Sequence, residues 1–209
     1  MVFSSIELTP NRHYNQTLRI NEQLLPKLLY NLTKDEVITQ LSFVWDQKLY
    51  SLQETNYIQK QLRNKADGNI PLLLCPDDWD FSCTIVVVKV KHYADHTCWE
   101  KIGYVSRENY SFEKMMRSGY MDYSTWTAGD FENYSEDYFF KSAPDIKWDT
   151  LWSQVWPEEE RRRIWNYLHP FFNDDHNISW LTDLNWTFER SLYDHFIHQV
   201  TTLCQNDSL

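Results

Sequence analysis

Glycine is scarce in this chain, at 4 of 209 residues. So few glycines speak against an all-β chain of many tight turns, and no Gly-x-Gly-x-x-Gly or Walker-type loop is present to cradle phosphates. No Gly-x-Ser-x-Gly elbow is present either, so the best-known activated-serine turn is absent. Long apolar runs are missing too. The longest uninterrupted one, Ile85 to Val88, falls far short of the about 20 residues needed to span a bilayer. The N-terminal MVFSSIELTPNRH has neither a basic stretch nor an apolar core of signal-peptide type. A cytoplasmic protein is therefore expected, and its 4 cysteines are expected as free thiols. Basic residues are the other shortage. With 20 against 30 acids, the formal net charge is -10. An acidic surface repels phosphate backbones and anionic headgroups, which excludes nucleic acid and membrane as first-choice partners and favours a basic protein.

What the chain has in abundance is aromatic residues, 16% of the total, among them 10 Trp. With 42% hydrophobic and 24% charged residues, the composition is that of a globular protein with a continuous core. No repeat, low-complexity tract or linker divides it, so one α+β domain over 1–209 is expected.

Helical signals occupy both ends. Thr33-Lys34-Asp35-Glu36 has the form of a capping box. Behind it Ile38, Leu41, Trp45, Leu49 and Leu52 recur at helical spacing, which predicts a helix to Asn64, or two broken near Glu54. Ala66-Asp67-Gly68-Asn69 suits its end, since Gly and Asn accept a left-handed backbone. A weaker helix is expected around 22–32, interrupted by Pro26. Toward the other end, Asp145–Trp156 carries apolar residues at mixed helical spacing, and Pro157-Glu158-Glu159-Glu160 is a strong helix start. A last helix is expected from Thr182 or Asp183, with Leu184, Phe188, Leu192, Phe196, Val200 and Leu203 as its apolar stripe.

Between them the period changes to two. Ile70–Cys75, Phe81–His92 and Thr97–Val105 read as strands, the last two joined as an antiparallel hairpin through Tyr93–His96. Phe81, Cys83, Ile85 and Val87 alternate with Val86, Val88 and Val90. Both faces are apolar, so this valine-rich strand should be central in a small antiparallel sheet.

Candidate chemistry concentrates at CPDDWDFSC, residues 75–83. Seven residues separate Cys75 from Cys83, unlike the short paired spacings of zinc modules, and strand cysteines usually act as small hydrophobes. Adjacent acids in a turn are usually solvated rather than an acid-base pair. Pro76-Asp77 is turn chemistry, and the stretch is expected to be the bend leading to the central strand, with Trp79 on the core. His92-x-x-x-His96-x-Cys98 and His195-x-x-His198 lack an evident further ligand. No catalytic residue, metal site or cofactor is therefore assigned.

Binding is better supplied. Residues 120–152 hold ten aromatics, seven acids and two lysines. Rigid rings anchor interfaces, and an acidic rim steers a basic partner. The expected contact surface is Asp122, Tyr123, Asp130, Glu132, Tyr134, Glu136, Asp137 and Tyr138, supported by Asp77, Asp78 and Asp80. The alternative is a hydrolase or transferase whose dispersed residues, such as Asp80, His92, His96 and Glu100, would line a pocket in the 75–100 region.

The run DDWDFSCTIVVVKV followed by WEKIGYV resembles bacterial immunity proteins that neutralise polymorphic or contact-dependent toxins. The resemblance covers about 35 residues and carries no set of functional positions. It implies a cytoplasmic acidic protein that binds a cognate toxin, often a basic nuclease domain, and occludes its active or substrate-binding face.

Overall fold

The computed structural model describes residues 2–10, 16–106, 128 and 157–206, excepting the side chains of 16, 157–164 and 206. The chain forms two compact units, 1–110 with 170–209, and 111–169. The architecture is α+β, as the two sequence periods predict, with antiparallel sheets and helices toward both ends.

In the first unit, β1 (Ile6–Pro10), β2 (Gln16–Ile20) and β3 (Gln23–Leu24) make a three-stranded sheet in that order. Two residues, Asn21 and Glu22, turn β2 into β3 with positive φ at both positions, the twist a two-residue hairpin requires. A five-stranded antiparallel sheet follows, in the order β4 (Ser42–Phe43), β5 (Gly68–Leu74), β6 (Ile85–His92), β7 (His96–Val105) and β8 (Ile178–Glu189). The valine-rich β6 is its middle strand. Ile85 to Val88 are all buried, and exposure returns at Lys89, Lys91 and His92. Gly103 allows β8 to close on β7: a Cβ there would lie 2.7 Å from the Ser179 carbonyl oxygen and 2.9 Å from the Trp180 Cα.

Helices α1 (Leu25–Thr33), α2 (Leu52–Asn64) and α4 (Arg190–Asn206) belong to this unit. The core joins them through rings. Trp45 meets Trp99 edge-on at 5.4 Å and Phe196 at 6.2 Å, and Trp99 meets Phe188 at 5.4 Å. Their indole N–H groups are satisfied: Trp45 donates to the Pro71 carbonyl at 2.6 Å and Trp99 to the Tyr193 hydroxyl at 3.1 Å. Helix α3 (Pro157–Asn173) starts at the predicted proline. Within the second unit, the Trp165 ring stacks on His169 at 4.7 Å. The helix expected over Asp145–Trp156 lies outside the described residues.

Several expectations are corrected. Thr33 does not open a helix but closes α1: its hydroxyl donates to the Leu29 carbonyl, and Lys34 behind it is left-handed. Pro26 is harmless because it sits in the first turn, where no N–H is needed. The predicted helix over 33–64 is instead a 3-10 turn (Val37–Gln40), β4 and then α2, which Ser51 caps by accepting from the Glu54 N–H at 3.2 Å. At its far end Lys65, not Gly68 or Asn69, takes the left-handed position, and Gly68 already begins β5. Residues 182–189 are strand β8 rather than helix. Leu184 and Phe188 are four apart, a spacing that fits period two as well as 3.6. The apolar face of α4 is consequently Tyr193, Phe196, Ile197, Val200 and Cys204, while Leu192 is 58% exposed.

Candidate functional site

Ten residues, 75–84, connect β5 to β6, and several hydrogen bonds hold them as one turn. The Cys75 N–H donates to the Thr84 carbonyl at 3.2 Å, closing the neck, and the Trp79 N–H donates to the Cys75 carbonyl at 3.2 Å. Trp79 has φ +47°, a left-handed conformation that costs a residue with a Cβ about 1–2 kcal/mol. Its carbonyl is fixed from outside, accepting from the Tyr50 N–H at 3.0 Å. Asp80 Oδ1 accepts from the Ser82 N–H at 2.8 Å, an ordinary Asx turn.

The floor of the turn is Phe81, fully buried against Phe172 at 5.3 Å and Tyr57 at 6.4 Å. Its N–H donates to Glu54 Oε2 at 3.0 Å. Glu54 is itself only 4% exposed. Burial pushes its carboxyl up to about 8, the Phe81 amide pulls it down, and the charge on Asp80 raises it further. A carboxyl of this kind stays protonated near neutral pH, so it anchors the turn without adding a charge.

On the outside, Asp77 is exposed and Asp78, Trp79 and Asp80 are half-buried. Tyr50, whose N–H meets the Trp79 carbonyl, is 78% exposed, and Leu52, two residues on, is 62% exposed. The turn and the start of α2 thus carry two large exposed side chains and three carboxylates. Asp77, Asp78 and Asp80 were expected at a contact surface. Tyr50 and Leu52 were not, because Leu52 fits the helical stripe of its neighbours. The Ser51-x-x-Glu54 capping box could have placed both at the open end of α2.

The same turn brings together Cys75, Asp78 and Cys83. Their sulfur and carboxylate ligand atoms all lie within 4.8 Å of one another, and all three residues are half-buried. The hydrogen bond to Asp78 raises the Cys83 thiol, burial adds to it, and contact with Cys75 does so again. The cysteines of this stretch are therefore not buried strand hydrophobes; both lie in the loop, free and partly accessible. Sequence spacing concealed the juxtaposition because a turn, not a zinc-module hairpin, folds Cys83 back toward Cys75. Cys98 is half-buried on β7, and Cys204 is buried with its Sγ 3.3 Å from the Gln47 carbonyl.

The chain matches no protein-family model, no curated protein and no solved structure. The site must be judged on its own geometry.

Of the remaining expected residues, Asp122, Tyr123, Asp130, Glu132, Tyr134, Glu136, Asp137 and Tyr138 lie outside the described residues. Asp80, His92, His96 and Glu100, named for the alternative pocket, fall on the turn, β6 and β7. Asp80 precedes β6 and His92 ends it, a separation of about 25 Å along an eight-residue strand. His96 stacks on Tyr93 at 4.4 Å and pairs with Asp95 at 2.6 Å, and Glu100 pairs with Lys91 at 3.7 Å. His92 belongs to a second polar group. Its N–H donates to Asp67 at 2.7 Å, and its Nδ1 lies 3.0 Å from the Thr97 hydroxyl. Burial and the Arg190 guanidinium lower its pKa, against the pull of Asp67 and Asp194. Asp194 in turn bridges Lys65 at 2.7 Å and Arg190 at 3.3 Å. Arg190 also donates to the Tyr93 carbonyl at 3.0 Å, so this network ties α4 to the hairpin. His195 and His198 are both exposed on α4.

Proposed function

We propose that this protein acts by binding another, basic protein and covering its working face, without transforming a substrate. The observation that carries the proposal is the acidic turn of Asp77, Asp78 and Asp80, tied through the Tyr50–Trp79 backbone bond to the segment of exposed Tyr50 and Leu52, on a backbone fastened at Cys75, Trp79 and Phe81. Preorganised rings and aliphatic groups lower the entropic cost of association, and flanking carboxylates steer a cationic partner. The net charge of -10 acts in the same direction over longer range. The resemblance of DDWDFSCTIVVVKV and WEKIGYV to immunity proteins points to a cognate toxin as the partner and the cytoplasm as the place of action. Among the described residues, no helix is long and apolar enough to cross a membrane.

The test is comparative capture. Wild-type protein and a Tyr50→Ala/Asp77→Asn/Asp80→Asn variant are used as bait in lysate of the source organism, with quantitative mass spectrometry at low and high salt. The expected result is a basic protein enriched by the wild type at low salt and lost by the variant. Identical capture by both baits would remove Tyr50 and the turn from the proposal. A cognate toxin domain that still poisons cells expressing the wild-type protein would remove the inhibitor reading itself.

A further inference from the structure

We propose that Cys75, Asp78 and Cys83 form a site for one zinc-class divalent cation, independently of the protein-binding role. Two sulfurs and one carboxylate oxygen that lie within 4.8 Å of one another can converge on a single ion. Zinc–sulfur bonds of about 2.3 Å and zinc–oxygen bonds of about 2.0–2.2 Å would draw the three side chains closer together. Thiolate ligands select zinc over calcium or magnesium, and the set leaves a fourth position for water or a partner's side chain.

Three further observations favour a built site. The backbone that carries the ligands is closed at Cys75–Thr84 and at Trp79–Cys75, so the set is ordered in advance. Trp79 at φ +47° turns the backbone directly after Asp78, within the same closed loop. Asp77 and Asp80 flank the ligands and add negative potential without being needed as ligands.

Binding would form two metal–sulfur bonds and one metal–oxygen bond, and release two thiol protons to solvent. Apparent affinity should therefore rise about a hundredfold per pH unit below the thiol pKa values.

The test uses the full-length, freshly reduced protein titrated with Co²⁺ alone, followed by Zn²⁺ displacement. The expected result is one equivalent of Co²⁺ with thiolate-to-cobalt charge-transfer absorption. That band should be lost in Cys75→Ser and in Cys83→Ser, weakened at least about tenfold in affinity by Asp78→Asn, and unchanged in Cys98→Ser. Because serine variants can perturb folding, a second measurement uses the wild type. Zn²⁺ should protect Cys75 and Cys83 from alkylation and leave the labelling of Cys98 unaltered. Failure to take up Co²⁺, uptake that survives Cys83→Ser, or a Cys75–Cys83 disulfide forming without any metal protection would each overturn the proposal. None of these outcomes touches the capture experiment, whose variant keeps all three ligands.

Discussion

Glu54 gives the sharpest test of how the acidic turn is anchored. Its carboxyl goes from 4.5 in the unfolded chain to about 8 in the fold, mainly through burial. Between those values the folded protein holds one proton more than the unfolded chain. Its contribution is thus fully present below pH 4.5 and is lost as pH rises toward 8. At 1.36 kcal/mol per unit the ceiling is about 5 kcal/mol, of which about 3 kcal/mol falls between pH 5 and 7.5. Glu54→Gln keeps an oxygen to accept the Phe81 N–H but has no proton to lose. The variant should match the wild type near pH 5 and exceed it by about 3 kcal/mol at pH 7.5. Urea unfolding at half-unit pH steps, followed by tryptophan fluorescence, measures this as a difference between two proteins. Every other titrating group, His92 included, is common to both and cancels. Parallel stability profiles would refute the reasoning. So would a variant weaker by the same amount at every pH, because that result would make the ionised carboxylate, not the acid, the native acceptor.

Two further predictions concern the frame. His92 has its pKa lowered by burial and by Arg190, so its neutral form stabilises the fold above pH 6.5 and that stability is lost as pH falls through the folded value. His92→Gln should flatten the acid limb of the stability profile below pH 6.5 in the same urea assay, and an unchanged limb would exclude His92 as its source. Gly103→Ala should destabilise by about 1–3 kcal/mol, because the new Cβ meets the backbone of Ser179 and Trp180 rather than a flexible tip. A thermal midpoint equal to wild type would show that β8 can move aside.

The middle of the sheet was legible because Ile85–Val88 leaves no polar face and Tyr93–His96 interrupts two β-rich runs at a hairpin's length. Helix α3 was legible from its proline and three acids. Where two periods coincide, sequence could not decide: Leu184 and Phe188 satisfy both helix and strand, and only pairing with β7 makes them strand. Thr33 misled for a related reason. A hydroxyl that can cap a helix start can equally bond back to the carbonyl four residues earlier, and it does so with Leu29. The hairpin at Asn21-Glu22 went unseen because it carries Glu where glycine is the usual signal. At the candidate site, the acids were readable as turn residues, and the turn was readable as a bend. The meeting of Cys75 with Cys83 was not, since it depends on a left-handed tryptophan that no propensity favours.

Phe81 rests on Tyr57 from α2 and on Phe172 from the end of α3, segments on either side of it in the chain and far apart. A chain growing from its N-terminus can zip the β6–β7 hairpin long before residue 172 exists, since local pairings close at little entropic cost and distant ones wait. The acidic turn then lacks the Phe172 ring beneath Phe81 until that residue has been made. Whatever the turn engages meets it in mature form only once α3 has come to lie under Phe81.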